Sequence, residues 1–322
     1  MEVAAFAPFA SPVILFFLLG LLASALRSDL AIPEAIAKGM SLYLMAAIGL
    51  KGGVAVAKSG VNAEVASALL AGLALSFAIP ILAYAALRSF GRLDQINAGA
   101  VAAHYGSVSV VTFVTANELL GASGLVVAGF MVAVLAVMET PAILSGLMLA
   151  RRGTTSDGQS KGELLREVFL NASVVLLLGS FAIGLIAGPK GYAEVQPLFE
   201  SGFKGVLCLF LLDMGLIAAR RLIDARALNL RLAMLAIAFP VVNGTLGVVV
   251  GNLIDLDTAT AAAMGVLCAS ASYIAVPAAM RLALPQADPG IYLTMSLSIT
   301  FPFNILIGIS LFGEMSRWLG AS

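Results

Sequence analysis

Long apolar stretches follow one another along almost the whole chain, separated by short charged or Gly/Pro-rich segments. An α-helix needs about 20 apolar residues to cross a hydrocarbon layer of about 30 Å. Dividing the chain at its polar interruptions predicts ten membrane-spanning helices. Their expected ranges are 9–26, 32–50, 63–87, 94–120, 123–150, 164–187, 196–220, 229–253, 258–284 and 289–318. The pattern therefore predicts an all-α polytopic membrane protein.

The composition excludes a soluble fold and a nucleic-acid partner. Of 322 residues, 61% are hydrophobic and 11% are charged, whereas soluble globular domains carry about 25% charged residues. Eighteen Lys and Arg residues balance eighteen Asp and Glu residues, so no basic excess is available to neutralise a phosphate backbone. The expected surroundings are a lipid bilayer.

The distribution of Lys and Arg predicts the orientation, because basic loops resist translocation and stay in the cytoplasm. Four basic residues, Lys51, Lys58, Lys190 and Arg317, fall near the opposite ends of the spans. The loops after odd-numbered spans hold many more, namely Arg27, Arg88, Arg92, Arg151, Arg152, Lys161, Arg166, Arg220, Arg221, Arg226, Arg231 and Arg281. Both termini are therefore expected on the extracytoplasmic side of the cell (inner) membrane.

The two halves of the chain resemble each other at a shift of about 160 to 166 residues. The landmarks that coincide are Ile48-Gly49-Leu50 with Met214-Gly215-Leu216, Pro80 with Pro240, Leu93-Asp94 with Leu256-Asp257, Ser107-Val108-Ser109 with Ser270-Ala271-Ser272, and Pro141 with Pro302. Five spans per half is an odd number, so the second half enters the membrane inverted. We expect a first repeat at 1–150, a flexible cytoplasmic linker at 151–162 and an inverted repeat at 163–322, the plan of secondary transporters.

Both the fourth and the ninth predicted spans contain an interruption with hydroxyl side chains. These segments read HYGSVSVVT at 104–112 and CASASYIAVP at 268–277. Ser and Thr also let membrane helices pack closely, but two such segments at symmetry-related positions favour a binding site. A broken helix leaves N–H groups that attract an anion, while hydroxyl and carbonyl oxygens suit a hard cation. Both kinds of ligand are therefore expected near the membrane midplane.

Three ionisable residues fall inside predicted spans, where their cost makes them functional candidates. Glu139 lies beside Pro141, Asp213 lies in the seventh span, and His104 directly precedes the fourth-span interruption. The alternative for the two carboxylates is a pairing or capping role near a helix end. The alternative for His104 is a packed, hydrogen-bonded core residue.

Seven segments, in order, resemble the sodium-dependent bicarbonate transporter family. They are AIPEAI at 31–36, IGLKGG at 48–53, YGSVSVVT at 105–112, METPAIL at 138–144, PLFESGFKGVL at 197–207, MGL at 214–216 and SASYIAVPAAMRLALP at 270–285. The resemblance implies two inverted five-helix repeats arranged as a core and a gate domain, a homotrimer, and uptake of bicarbonate with sodium. It also implies a PII-like regulatory protein on the cytoplasmic face, and no cofactor besides the coupling sodium.

The resemblance also implies roles for individual residues. The substrate-binding candidates are Gly106, Ser107, Val108, Ser109, Ser270, Ala271, Ser272 and Tyr273. The cation-binding candidates are Ser109, Thr112, Glu139, Ser270 and Ser272. Glu139 falls where the family has an aspartate, whereas Tyr273 replaces an aspartate expected after the serines and so removes one sodium ligand. His104 and Asp213 are secondary candidates that would compensate for it.

The expected function is secondary active uptake of bicarbonate by alternating access, with the core moving against the gate, and not an enzymatic one. One alternative is another small anion or carboxylate, coupled to sodium or to protons through Glu139 or His104. A distant alternative is an intramembrane hydrolase with Ser107 or Ser109 as nucleophile and His104 as base. A passive channel fits less well, because the repeat favours a central, occluded site.

Overall fold

A computed structural model describes residues 11–60, 62–151, 172–223 and 228–320 of the chain. Helices account for most of these residues, and no strand occurs among them. The helices are α1 (Pro12–Ala25), α2 (Glu34–Ser59), α3 (Ala63–Ser89), α4 (Gln95–Gly106), α5 (Val110–Ala122), α6 (Met131–Ala150), α7 (Ala172–Gln196), α8 (Phe203–Ile223), α9 (Leu230–Leu253), α10 (Thr258–Ala269), α11 (Ala275–Ala283) and α12 (Pro289–Gly320). Within α12, Thr294–Thr300 and Asn304–Gly308 are π-helical, and another π-helical turn, Pro197–Ser201, follows α7. Apart from Arg151, the predicted linker at 151–162 lies outside the described residues.

The described part of the chain contains seven helical segments that are long and apolar enough to cross a membrane. They are Glu34–Lys58, Ala63–Ser89, Gln95–Ala122, Met131–Ala150, Val175–Ser201, Leu230–Leu253 and Pro289–Gly320. Two shorter apolar helices, α1 and α10, accompany them. The prediction of an all-helical, multi-pass membrane protein is confirmed at this level.

Helix α2 continues to Ser59, beyond the predicted end of the second span at residue 50. The sequence suggested a boundary there because Lys51 introduces a charge. In the structure the Lys51 ammonium lies 4.6 Å from the centre of the Phe203 ring on α8. A cation over an aromatic face is stabilised, so the charge has a partner and the helix is not interrupted.

Two other helix boundaries differ from the prediction because of glycine conformations. Gly124 has a φ of 80° and ends the turn after α5, so that α6 begins at Met131 and not at residue 123. Gly188 has a φ of 59° and a ψ of −164°, which kinks α7, and Pro189 starts the next helical turns. Proline suits the first turn of a helix, because its missing N–H would have no partner there. Helix α7 therefore extends past the predicted end at 187.

Glycines bring α1 against α8 and α2 against α7. A Cβ on Gly20 would overlap the carbonyl of Leu212, and one on Gly215 would overlap the carbonyl of Phe17. In the second pair, a Cβ on Gly184 would overlap the carbonyl of Leu50. Small residues allow membrane helices to approach this closely, and packing then replaces the missing hydrophobic drive between helices in lipid. These four helices form one packing group.

The other group contains α3, α4 and α6 packed together, and α9, α10 and α12 packed together. Proline interrupts the hydrogen bonding of α9 at Pro240, which leaves the Ala236 carbonyl without its usual donor. The Thr300 hydroxyl of α12 donates to this carbonyl at 2.6 Å. Such side-chain donors are how membrane helices tolerate proline, and here the donor also ties α12 to α9.

An aspartate caps each of the two helices that lead into the helix breaks. The Asp94 carboxylate accepts hydrogen bonds from the N–H groups of Ile96 and Asn97, both at 3.0 Å. Asp257 caps α10 in the same way, at 2.9 and 3.1 Å. Partial burial raises the pKa of Asp94, but the hydrogen bonds from Asn97 and Ile96 outweigh it, so this pKa lies below its ordinary value. The two caps set where α4 and α10 begin.

Candidate functional site

Two helices are interrupted in the interior of the protein. Residues 107–109 separate α4 from α5, and residues 270–274 separate α10 from α11. Ser107 and Ser270 are extended, with ψ angles of 166° and 159°, so the helical hydrogen-bond ladder stops at each of them. Such a break leaves the first N–H groups of the next helix without a helical partner. Both interruptions that the sequence predicted are present.

The two breaks contact each other directly. The N–H of Ser109 donates to the hydroxyl of Ser270 at 2.9 Å. In the other direction, the N–H of Ser272 donates to the carbonyl of His104 at 2.9 Å. The two interrupted helices therefore supply hydrogen-bond partners to each other's backbone, which satisfies buried polar groups.

The serines hold the local geometry of each break. The Ser109 hydroxyl accepts from the N–H of Thr112 at 3.2 Å and so caps α5. The Ser272 hydroxyl accepts from the N–H of Val276 at 3.4 Å near the start of α11. Serine is favoured at such positions because its side chain replaces the missing helical acceptor.

Gly106, at the end of α4, allows the first break to lie against α3. A Cβ at this position would overlap the ring of Pro80 and approach Ala142 of α6 at 3.0 Å. Close packing therefore requires glycine at this position. The sequence motif marked Gly106 as a substrate-binding candidate, and that role stays a prediction.

Four backbone N–H groups point to an anion-binding role for the breaks. They belong to Val110 and Val111 at the start of α5 and to Ile274 and Ala275 at the start of α11. None of them has an acceptor among the described residues. All four residues line one cavity. Open N–H groups at a helix start carry partial positive charge, so the two helix starts make the wall of this cavity attractive to an anion.

The cavity lies where the two breaks meet α6 and α2. The cavity is narrow, with a volume of about 20 Å³. The lining residues are 108–111 from the first break, 272–275 from the second, Glu139 from α6, and Ser41, Leu44 and Met45 from α2. Among these described lining residues, Glu139 is the only one with a charged side chain.

Glu139 is buried, with 2% of its surface exposed. Its Oε2 atom has no hydrogen-bond partner among the described residues. An unpaired carboxylate at membrane depth is costly. A cation in the cavity would compensate that cost, and the Ser109 and Ser272 hydroxyls line the same space.

Tyr273 and Ser109 both line the cavity, and the buried Tyr273 hydroxyl has no hydrogen-bond partner among the described residues. The Tyr273 ring packs edge-on against Phe301 of α12, with ring centres 5.1 Å apart at 63°. Aromatic pairs of this geometry are favourable. The phenol is therefore held in place as a neutral polar group at the position where the resemblance had led us to expect a carboxylate.

The structure brings most of the predicted site residues together. Val108, Ser109, Ser272, Tyr273 and Glu139 line the cavity. Ser107, Thr112, Ser270 and Ala271 are buried within or directly beside the breaks. Their positions agree with the predicted cluster, and the ligands that each of them binds stay a prediction.

The two secondary candidates do not line the cavity. Asp213 is buried in α8, in the other packing group. The His104 ring stacks on Tyr292 with ring centres 4.5 Å apart, and its Nδ1 lies 2.7 Å from the Ala100 carbonyl oxygen. Neither His104 Nε2 nor the Ser107 hydroxyl has a hydrogen-bond partner among the described residues. The described residues thus lack the Ser107–His104 pair that the hydrolase alternative requires.

The wall supplied by α2 was not predicted. Ser41, Leu44 and Met45 face the breaks from the other packing group. In the sequence they lie in an ordinary apolar stretch, and one serine is a weak signal. Only the packing of α2 across the breaks identifies them.

Broken helices that meet at a buried carboxylate, inside a polytopic helical membrane protein, are typical of secondary transporters. The sequence profile of the Na+-dependent bicarbonate transporter superfamily matches residues 12–317, nearly the whole chain. The chain belongs to this superfamily, so the resemblance noted in the sequence is confirmed. A search of curated proteins gave no match. Membership implies Na+-dependent transport of bicarbonate and favours transport over hydrolysis.

Proposed function

We propose that the protein is a secondary active transporter that takes up bicarbonate together with sodium. The observation that carries the proposal is the cavity in which the open N–H groups of two helix starts face one buried carboxylate, that of Glu139. The helix starts offer groups suited to an anion, and the carboxylate of the same lining offers a group suited to a cation. The family supplies the identity of both ions.

The anion is bound by the backbone at the two helix starts. Val110 and Val111 on one side, and Ile274 and Ala275 on the other, offer N–H groups that no described residue accepts from. Bicarbonate carries its charge on planar oxygens, which accept hydrogen bonds from several directions. The helix dipoles add to this attraction, since both α5 and α11 direct their positive ends toward the cavity.

The cation is bound by oxygen ligands, among which Glu139 carries the charge. Hard cations prefer carboxylate, hydroxyl and carbonyl oxygens. The Ser109 and Ser272 hydroxyls line the cavity with Glu139, and the hydroxyls of Thr112 and Ser270 belong to the same two breaks. Sodium would neutralise a carboxylate that has an unpaired oxygen in the protein interior.

Coupling follows because the two ions share one cavity. A bound cation strengthens anion binding, and by reciprocal linkage the anion strengthens cation binding by the same factor. The protein then changes its access from one membrane side to the other mainly when both ions are bound. This alternating access would be an elevator-like movement of the breaks and their packing group against α1, α2, α7 and α8.

We also propose the ten-helix inverted repeat, with halves at 1–150 and 163–322 joined by the linker at 151–162. Paired features support it: α1 packs on α8 as α2 packs on α7, Asp94 and Asp257 cap equivalent helices, and the breaks exchange hydrogen bonds. A core of α3–α6 and α9–α12 and a gate of α1, α2, α7 and α8 fit these packing groups.

The remaining features of the proposal rest on the family resemblance and the charge distribution. They are a homotrimer, regulation by a PII-like protein at the cytoplasmic face, and a location in the cell inner membrane. Basic residues in the loops after odd-numbered spans support extracytoplasmic termini. Cross-linking in native membranes tests the trimer, and labelling of cysteines placed in single loops tests the orientation.

The primary test is uptake of labelled bicarbonate into proteoliposomes that contain the pure protein. The vesicles receive an inward sodium gradient, an inward proton gradient, or neither. We expect accumulation with sodium alone. Proton-driven accumulation would replace sodium by protons as the coupling ion, and no accumulation by folded protein would contradict bicarbonate as the cargo.

The role of Glu139 is tested by Glu139→Gln, which removes the charge and keeps the size of the side chain. Because a hydrogen bond or contact to a charged group contributes about 1.5–3 kcal/mol, sodium-driven uptake should fall about tenfold or more. The matched control is Ser89→Ala, at an exposed position at the end of α3. Uptake by Glu139→Gln that equals the control would exclude Glu139 as the cation ligand.

A further inference from the structure

An ion pair joins the two packing groups of helices. The ammonium of Lys204, in the first turn of α8, lies 3.1 Å from a carboxylate oxygen of Glu118, in the last turns of α5. Helix α8 packs on α1, whereas α5 packs on α10 and α12. A second ion pair, Arg317 with Glu314, stays within α12. The pair of Lys204 and Glu118 therefore links the proposed gate to the proposed core.

The pair lies on the side of the membrane where both termini are expected. Glu118 is near the end of the fourth predicted span, and Lys204 is near the start of the seventh. Both therefore adjoin loops that follow even-numbered spans. These loops carry few basic residues and are predicted to be extracytoplasmic.

The two groups are also packed closely on this side, where the end of α2 meets the start of α6. A Cβ on Gly129 would overlap the Ala55 side chain, and a Cβ on Gly52 would lie 2.7 Å from the Val132 side chain. At the other end of α2, residues 34–40 are exposed or half-buried, just before the residues of α2 that line the cavity. The described residues thus close the extracytoplasmic side and leave the cytoplasmic half of α2 uncovered.

We propose that Glu118 and Lys204 are positioning residues for transport, whose ion pair holds the extracytoplasmic side closed and breaks once in each transport cycle. This inference rests on the proposed function, because it concerns the alternating access of the same protein. Neither residue lines the cavity. The pair therefore acts on the relative position of the two groups and not on the bound ions.

The strength of the pair suits a contact that opens repeatedly. The side chain of Lys204 is 54% exposed and that of Glu118 is 26% exposed, so water and salt screen their attraction. A pair of this kind shifts an equilibrium by about two- to fivefold. It therefore favours the closed state without locking the protein in it.

Cys208 is a native reporter of the opening. It lies one turn after Lys204 on α8 and is buried, with 7% of its surface exposed, and both charges of the pair act on its thiol. The other cysteine of the chain, Cys268, is fully buried in α10. A membrane-impermeant thiol reagent added to intact cells should reach Cys208 when α5 moves away from α8. Mass spectrometry of the peptides identifies the modified cysteine.

The pair is broken from either side by Glu118→Gln and by Lys204→Met. Both variants should raise the rate of Cys208 modification about two- to fivefold, because the open state becomes more populated. The direct effects of the two removed charges on the thiol are opposite, since a negative neighbour disfavours the reactive thiolate and a positive neighbour favours it. A common increase therefore reports opening, whereas opposite changes or no change would overturn the proposal. Glu314→Gln, which breaks the pair within α12, is the matched control and should keep the wild-type rate.

Sodium-driven uptake into proteoliposomes distinguishes positioning from a structural role. Both variants should lower the KM for external bicarbonate by about two- to fivefold, because more of the protein presents its site to the outside. A lower Tm with an unchanged KM would reduce the pair to a structural contact. The double variant of Glu118→Lys with Lys204→Glu reverses the pair and should restore the wild-type KM and modification rate. A folded double variant that restores neither would contradict the pairing.

The outcomes separate this inference from the proposed function. If the wild-type protein accumulates no bicarbonate, the proposed function fails, but the modification of Cys208 still decides whether the pair closes this side. If uptake is normal and breaking the pair leaves Cys208 protected, only the role of Glu118 and Lys204 is wrong.

Discussion

The two helix breaks share a backbone arrangement but differ in the chemistry beside them. The shift that aligns Pro141 with Pro302 also aligns Glu139 with Thr300. Glu139 lines the cavity with an unpaired carboxylate oxygen. The Thr300 hydroxyl is engaged, because it donates to the Ala236 carbonyl at 2.6 Å and lies 2.7 Å from the Tyr105 hydroxyl. One half thus offers a charged ligand, while the other uses the equivalent position to hold helices together.

The residues that precede the breaks also differ. Gly106 ends α4 where it lies against Pro80, whereas Ala269 occupies the corresponding position at the end of α10. At the first break the neighbouring helix α3 therefore leaves no room for a Cβ. We expect the largest effects on stability at the first break, and effects on transport at both.

The largest expected effect on stability is that of Gly106→Ala. The added Cβ overlaps the Pro80 ring, and overpacking of this kind costs about 1–3 kcal/mol. The Tm in detergent should fall, and sodium-driven uptake should fall with it. Gly121→Ala is the control, because its Cβ would meet no atom within 4 Å and alanine favours the helix. A Gly106→Ala protein with an unchanged Tm would show that α4 does not need glycine.

Substitution of Ser109 or Ser272 by alanine should lower transport to a similar extent. Ser109→Ala and Ser272→Ala each remove a hydroxyl from the cavity lining, and we expect uptake to fall about tenfold without loss of expression. Ser109→Ala should also lower the Tm further than Ser272→Ala does, because Ser109 caps α5 with the shorter hydrogen bond. Wild-type uptake by both variants would argue that the hydroxyls have only a packing role.

The smallest effects on stability are expected for the two aspartates that cap α4 and α10, which do not line the cavity. Asp94→Ala and Asp257→Ala should each cost about 1 kcal/mol, measured as a lower Tm. The two losses should be similar, because Asp257 also accepts from the Thr260 hydroxyl and Asp94 also accepts from the Asn97 side-chain amide at 2.6 Å. A clearly larger loss at one aspartate would show that the two caps are not equivalent.

The contribution of Asp94 should also depend on pH. Hydrogen bonds lower the pKa of Asp94 in the folded protein, so its stabilisation is present above the unfolded pKa of about 3.9 and disappears as the pH falls through the folded value. The Tm difference between wild type and Asp94→Ala should therefore shrink below about pH 4. A constant difference down to lower pH would assign the effect to packing alone.

Much of this architecture is readable from local sequence features. The apolar stretches predicted the membrane helices because spanning a bilayer depends on length and hydrophobicity alone. The breaks were predictable from Gly106 and the paired serines, which disfavour a continuous helix by their own conformational and hydrogen-bonding properties. Pro277 lies in the first turn of α11 and not in the break, because proline is tolerated there. The predicted helix ends were less accurate where a residue distant in sequence contacts the segment. The end predicted near Lys51 is an example, because Lys51 contacts Phe203 of α8.

Long-range packing supplied the rest of the site. Ser109 and Ser270 are 161 residues apart in sequence yet share a hydrogen bond, and α2 provides a cavity wall that no local pattern marks. His104 was predicted near the site because it adjoins the fourth-span motif, but its ring turns toward Tyr292. The apolar pattern and the helix-breaking residues act on their own neighbours, so the chain sequence alone determines that this is a broken-helix membrane protein. Which side chains share a cavity depends on how distant helices pack and rotate against each other, and that is a property of the folded protein.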